Sequence, residues 1–155
     1  MSTSPPLETV VLCVDGSDAA VQAVDTGWAL LKSAERVLVV TVVEETDPTL
    51  LTGTGMAGGV VSSEEFEELD RTAAAEGWAI AEREAARLDA GDPEVHVLRG
   101  SPGPALCSFA REVHARAIVM GSRGRGGIKR ALLGSVSDHV VRNAPCPVVI
   151  AGPAS

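Results

Sequence analysis

The 155 residues contain no tyrosine, two tryptophans and two phenylalanines: Trp28, Trp78, Phe66 and Phe109. A core must therefore be aliphatic, and the stacking platforms that single-stranded nucleic acid needs are missing. Positive charge is also scarce, with 13 Lys and Arg against 21 Asp and Glu and a net charge of −8. Nucleic acid and anionic membranes both call for a basic surface, so neither is an expected partner. No apolar run can span a bilayer: the longest, Val37–Val43, falls far short of the roughly 20 residues required. The opening MSTSPPLE has neither the basic region nor the apolar stretch of a signal peptide, so a cytoplasmic location is expected. Cysteine is limited to Cys13, Cys107 and Cys146, an odd number with no CxxC pair. These read as reduced thiols in or near a core. His96, His114 and His139 show no ligand-type spacing with them, so no metal site is expected.

What is present is an alternation. Apolar residues make up 45% of the chain, enough for one domain over residues 1–155, with residues 1–7 a flexible, Pro-containing tail. Thr9–Asp15 and Arg36–Glu44 are continuous apolar runs that read as strands buried on both faces. Between them Val21, Val24, Trp28 and Leu31 recur at helical spacing over residues 18–33, with Ser17 as N-cap. Residues 45–61, rich in Gly, Thr and Pro, are too long for a simple connection and read as a mobile loop. A long helix follows from Ser62 or Ser63 to about Leu88. Phe66, Leu69, Ala73, Ile80, Ala81 and Leu88 form its apolar side, with Glu and Arg opposite. Glu94–Leu98 and Ala117–Met120 read as strands around a helix at Pro102–His114. A helix over Ser135–Asn143, burying Val136, Val140 and Val141, leads into a last strand at Pro147–Ala151.

Strands alternating with helices imply parallel pairing and right-handed crossovers. The fold class is α/β: a doubly wound, five-stranded parallel sheet with helices on both faces. The winding reverses between strands 1 and 4, giving the order 3-2-1-4-5. Ligands of such sheets bind beyond the carboxyl ends of the strands at that reversal. The residues leaving strands 1 and 4 are Asp15-Gly16-Ser17 and the glycine-rich segment beginning at Gly121.

That segment has chemical content. Gly121, Gly124, Gly126, Gly127 and Gly134 allow close backbone approach to an anion. Gly134-Ser135 opens a helix, where unpaired N–H groups and the dipole favour phosphate, and Ser135 and Ser137 add hydroxyls. Arg123, Arg125, Lys129 and Arg130 place four positive charges here, leaving −12 on the rest of the chain. A basic loop on an acidic body suits a small polyphosphate. A solvated surface loop would show the same composition; the position between an apolar strand and a helix favours phosphate. The Walker pattern fails because Lys129 follows Ile128. GxGxxG and GxSxG are absent, and a phosphate-receiver domain would need an acid where strand 3 ends in Leu98-Arg99-Gly100.

Gly121, two residues, Gly124, nine residues, then Gly134-Ser135 resembles the ATP-binding signature of the universal stress protein family. Asp15 after strand 1 and the terminal Pro-Cys-Pro-Val-Val-Ile resemble it too, so the likeness covers nearly the whole chain. It implies the Rossmann-like fold of the adenine nucleotide α-hydrolase type. It also implies residue roles. Val14 and Asp15 would line the base and ribose end. Val42 would meet adenine through its backbone, and Met120 and Gly121 would lie beside the ribose. Arg123, Gly124, Gly134, Ser135, Val136 and Ser137 would hold the phosphates. Arg123 stands where several family members carry His, which bears on phosphate number.

On its own residues, Asp15 is also a suitable helix cap, and Val42 and Met120 are core residues in any case. The function expected is regulatory ATP binding in a stress or dormancy response, with Asp15 a possible indirect partner of Mg²⁺. A slow ATPase or nucleotidyl-transfer enzyme and a ligand-free dimeric interaction module stay open, as does ATP against ADP, AMP or a cyclic nucleotide. Strand 147–151 is an edge, and the resemblance implies a homodimer through it.

Overall fold

The computed structural model describes residues 8–31, 34–55, 59–122 and 133–152. Its elements are β1 (Thr9–Cys13), α1 (Asp18–Leu30), β2 (Arg36–Val43), a short 3₁₀ helix (Pro48–Leu51), α2 (Ser63–Arg87), β3 (Glu94–Arg99), α3 (Pro102–Glu112), β4 (Ala117–Gly121), α4 (Ser135–Asn143) and β5 (Val148–Ala151). All pairings are parallel, as the alternation predicts, and the order is the expected β3-β2-β1-β4-β5.

Strand alternation divides the apolar residues between two cores. Val10, Leu12, Val37, Val39 and Val119 pack with Val24, Trp28 and Ala81 under α1 and α2. Val11, Cys13, Leu38, Val40, Ile118 and Met120 pack with Leu106, Ala110 and Val140 under α3 and α4. Two helices approach the sheet closely because they offer glycine there. A Cβ on Gly27 of α1 would lie 2.3 Å from Val119 Cγ1, and one on Gly77 of α2 would lie 2.7 Å from Val43 Cγ1.

Local chemistry sets the helix starts. The Ser17 hydroxyl accepts from Ala20 N–H at 3.2 Å. At α2, Ser62 N–H donates to Glu65 Oε2 at 2.7 Å while Glu65 N–H donates to the Ser62 hydroxyl at 3.2 Å, a reciprocal cap.

The sequence reading of the helix faces needs three corrections. Leu69 and Val141 are exposed, not buried. Glu84, expected on the polar side of α2, is only 3% exposed. Arg87 explains this: it donates to Glu84 from Nε at 3.0 Å and to Asp25 of α1 from Nη1 at 2.7 Å. A buried carboxylate is tolerated when it is paired in this way. The segment expected to be a loop, 45–61, contains the 3₁₀ helix, capped by Asp47 and closed by a bond from Val61 N–H to Leu50 C=O at 2.9 Å. Cys13 and Cys107 are buried and Cys146 half-buried, all as free thiols. Among the described residues no helix is long and apolar enough to cross a membrane.

Candidate functional site

The strands end at different heights. Cys13, the last residue of β1, lies opposite Val40, but β2 runs on to Val43. The last main-chain bond between them goes from Val14 N–H to Val40 C=O, at 2.9 Å. N–H and C=O groups of alternate strand residues face the same neighbour. Val43 C=O faces β3, where it accepts from Gly100 N–H at 3.1 Å. Val42 therefore turns its main-chain edge to the side that β1 has vacated. This notch widens into a cleft of about 600 Å³ at the carboxyl end of the sheet, where the winding reverses between β1 and β4.

Six of the expected site residues line this cleft: Val14, Asp15, Val42, Met120, Gly121 and Val136. Ser135 lines an adjoining space of about 340 Å³ that shares Glu44, Pro102 and Val136 with it. Gly134 is the N-cap of α4, with no side-chain cap, and its N–H donates to Ser122 C=O at 2.7 Å. The first N–H groups of α4, at Ser135 and Val136, have no acceptor within their own helix and stand at the cleft wall. Arg123 and Gly124 lie outside the described residues.

Two side chains have local duties. Asp15 Oδ1 accepts from Ser17 N–H at 2.9 Å and from the Ser17 hydroxyl at 2.6 Å. Ser17 is thus the cap of α1, and Asp15 braces the cap from the cleft. Ser137 is only 2% exposed, and its hydroxyl donates to Ser122 C=O at 2.9 Å and Gly134 C=O at 3.0 Å. The hydroxyl faces inward and ties the start of α4 to the end of β4. Cys13 also lines the cleft. Burial, reinforced by Cys107 and Cys146, pushes its thiol up to about 12, so it stays protonated at neutral pH.

Sequence reasoning missed the side walls. Glu76, Gly77 and Ile80 of α2 form one, and Pro102 and Leu106 of α3 another. Gly77 was the available signal: a lone glycine inside an Ala-rich helix marks a close approach. His139, which borders the adjoining space, packs its ring where a Cβ on Gly103 would come within 2.8 Å.

The model of the universal stress protein family matches residues 6–152. The universal stress protein YxiE of Bacillus subtilis is 31% identical over 144 residues, covering 91% of this chain and 96% of its own length. UspA from Lactobacillus plantarum, 21% identical, superposes with a TM-score of 0.73 over 95% of this chain and 99% of its own. A universal stress protein solved in complex with cAMP, 24% identical, gives 0.64 over 95% and 98%. With this sheet order, this cleft and a match from residue 6 to residue 152, the chain belongs to the universal stress protein family.

Proposed function

We propose that the chain is an ATP-binding regulatory module of a stress or dormancy response, acting as a cytoplasmic homodimer. One observation carries it: the cleft has the main-chain edge of Val42 on one wall and, on another, the N–H groups at the start of α4, which have no partner among the described residues. A donor and an acceptor side by side suit the edge of adenine. A helix N-terminus suits phosphate. The cAMP bound by one protein of this fold is in keeping with an adenine ligand. Val14 and Asp15 would flank base and ribose, Met120 and Gly121 the ribose, and Ser135 and Val136 the phosphates. Gly134 and Ser137 would shape the turn that presents them, and Arg123 and Gly124 would complete the phosphate end. Mg²⁺ would be held chiefly by phosphate oxygens; Asp15, which lines the cleft together with Glu44 and Glu76, would make an indirect contact.

Calorimetry with Mg²⁺ and ATP, ADP, AMP or cAMP tests this on the wild type and on Gly124→Ala. The expected result is micromolar ATP binding that the substitution abolishes. Folded wild-type protein with no affinity for any of the four would overturn the proposal.

The dimer would form through β5. Pro147 and Ala151 turn their C=O groups to β4, accepting from Ile118 and Ser122 N–H, each at 3.0 Å. By alternation, Val148 and Ile150 turn theirs outward, as an open edge. Ile150→Pro removes an outward N–H without touching the β4 ladder. Light scattering should give a dimer for the wild type and a monomer for this variant; an unchanged mass would exclude β5 as the interface.

A further inference from the structure

The cleft has two lobes because it straddles the edge of the sheet. Cys13, Val40, Val42 and Met120 face α3 and α4, on the side that reaches the start of α4. Val14, Thr41 and Val43 face the other way, and with Ala20, Gly77 and Ile80 they enclose a lobe against α1 and α2. Thr41 is the buried polar side chain of that second lobe, whose α2 wall also carries the exposed Glu76. It interrupts the apolar run that follows Arg36 in β2, VLVVTVV, and is only 4% exposed. Its methyl meets α2, since a Cβ on Gly77 would lie 3.4 Å from Thr41 Cγ2. Its hydroxyl has no hydrogen-bond partner among the described residues. Ser137, equally buried, donates to two carbonyls.

A buried, unpaired hydroxyl is costly, and valine fills the same volume without that cost. Mostly apolar walls with a few precisely placed polar groups, here the buried Thr41 and the exposed Glu76 of α2, are the pattern of a pocket that takes a flat heterocycle and fixes its orientation. Thr41 is also the residue before Val42, whose main-chain edge opens on the same notch.

We propose that Thr41 is a base-contacting residue: adenine enters the lobe beside α2, and the buried Thr41 hydroxyl supplies a hydrogen bond to its ring nitrogen or amino group. The phosphates then run across the sheet edge towards α4. The proposal rests on the nucleotide-binding reading above. It goes further in fixing which lobe takes the base and which side chain reads it.

The test pairs two measurements on wild type, Thr41→Val and Thr41→Ser: calorimetry with Mg²⁺-ATP, and thermal melting without nucleotide. Thr41→Val should bind about tenfold more weakly, the scale of one lost hydrogen bond in a closed pocket. It should melt no lower than wild type, because its unpaired hydroxyl is gone. Thr41→Ser, which keeps the hydroxyl, should stay within about threefold of wild type. Unchanged ATP affinity in Thr41→Val, with wild type binding, would overturn this proposal alone. So would equal losses in Val and Ser, or a Thr41→Val protein that melts several degrees lower or fails to fold, since the group would then serve the fold. No binding by wild type would remove the nucleotide reading and this proposal with it.

Discussion

The two ends of the sheet are built differently. At the amino end, main chain and side chains close on one another. Glu35 and Arg36 N–H both donate to Glu8 C=O at 3.1 Å, and Arg116 N–H donates to Thr9 C=O at 2.7 Å. Arg36 grips Glu94 with two bonds, at 2.6 and 2.8 Å, and Arg116 pairs with Glu8. At the carboxyl end β1 stops while β2 runs on, α4 begins on a glycine without a side-chain cap, and a cleft of about 600 Å³ results. Polar backbone left over where strands end unevenly marks the end where a ligand can bind.

If this contrast is sound, changes in the body of the sheet should alter stability and spare binding, and changes at the carboxyl end should do the reverse. The largest effect is expected from Gly27→Ala, whose Cβ would collide with Val119 at 2.3 Å. Helix propensity alone favours alanine by about 1 kcal/mol, so a net loss isolates the contact. Overpacking should destabilise the protein by about 1–3 kcal/mol in denaturant unfolding, with nucleotide affinity unchanged in the folded fraction.

Ser135→Pro reverses the pattern. Proline is tolerated at the first helical position, and Gly134 before it already has φ −71° and ψ 164°, which suit a residue preceding proline. Stability should hold, but one N–H and one hydroxyl leave the cleft. ATP affinity should fall at least about tenfold by calorimetry, which is about 1.4 kcal/mol. Equal losses of both properties would blur the distinction between the ends.

Next comes Ser17→Ala, where cap and cleft meet. Losing the cap of α1 should lower unfolding stability by about 1 kcal/mol. It also frees Asp15, so a modest affinity loss should accompany it; a purely structural effect would separate Asp15 from the site.

The smallest effect lies at the amino end. The hydrogen bond from Arg36, aided by His96, holds the Glu94 carboxyl down at about 2, against an ordinary 4.5. The stability this contributes is complete above about pH 4.5 and is lost as pH falls through about 2. Both partners are partly exposed, so Glu94→Gln should cost only about 0.5 kcal/mol at pH 7. The difference from wild type should close between pH 4.5 and 2 in urea titrations, with no change in ATP binding at neutral pH.

The fold was legible because its periods are clean: β2 reads RVLVVTVV and α1 carries its apolar residues at helical spacing. The doubly wound parallel class followed from alternation and handedness. Strand ends were less legible. Where β1 stops relative to β2 depends on a register between residues 27 positions apart, Cys13 and Val40, which no local pattern encodes. The helix faces failed at Glu84 because an ion pair reaching across to Asp25 reversed the preference of a carboxylate for solvent. Within the site, residues next to the glycine loop and after β1 were readable from spacing. The wall from α2 and the buried hydroxyl of Thr41 were not, since both depend on how closely Gly77 lets a helix settle on the sheet.

The most direct measurement is residue-resolved amide hydrogen exchange with and without Mg²⁺-ATP. The account predicts added protection at Val42 and at Ser135 and Val136, with no change at Glu35, Arg36 or Arg116. Protection confined to the amino end, or none anywhere at saturating ATP, would contradict it.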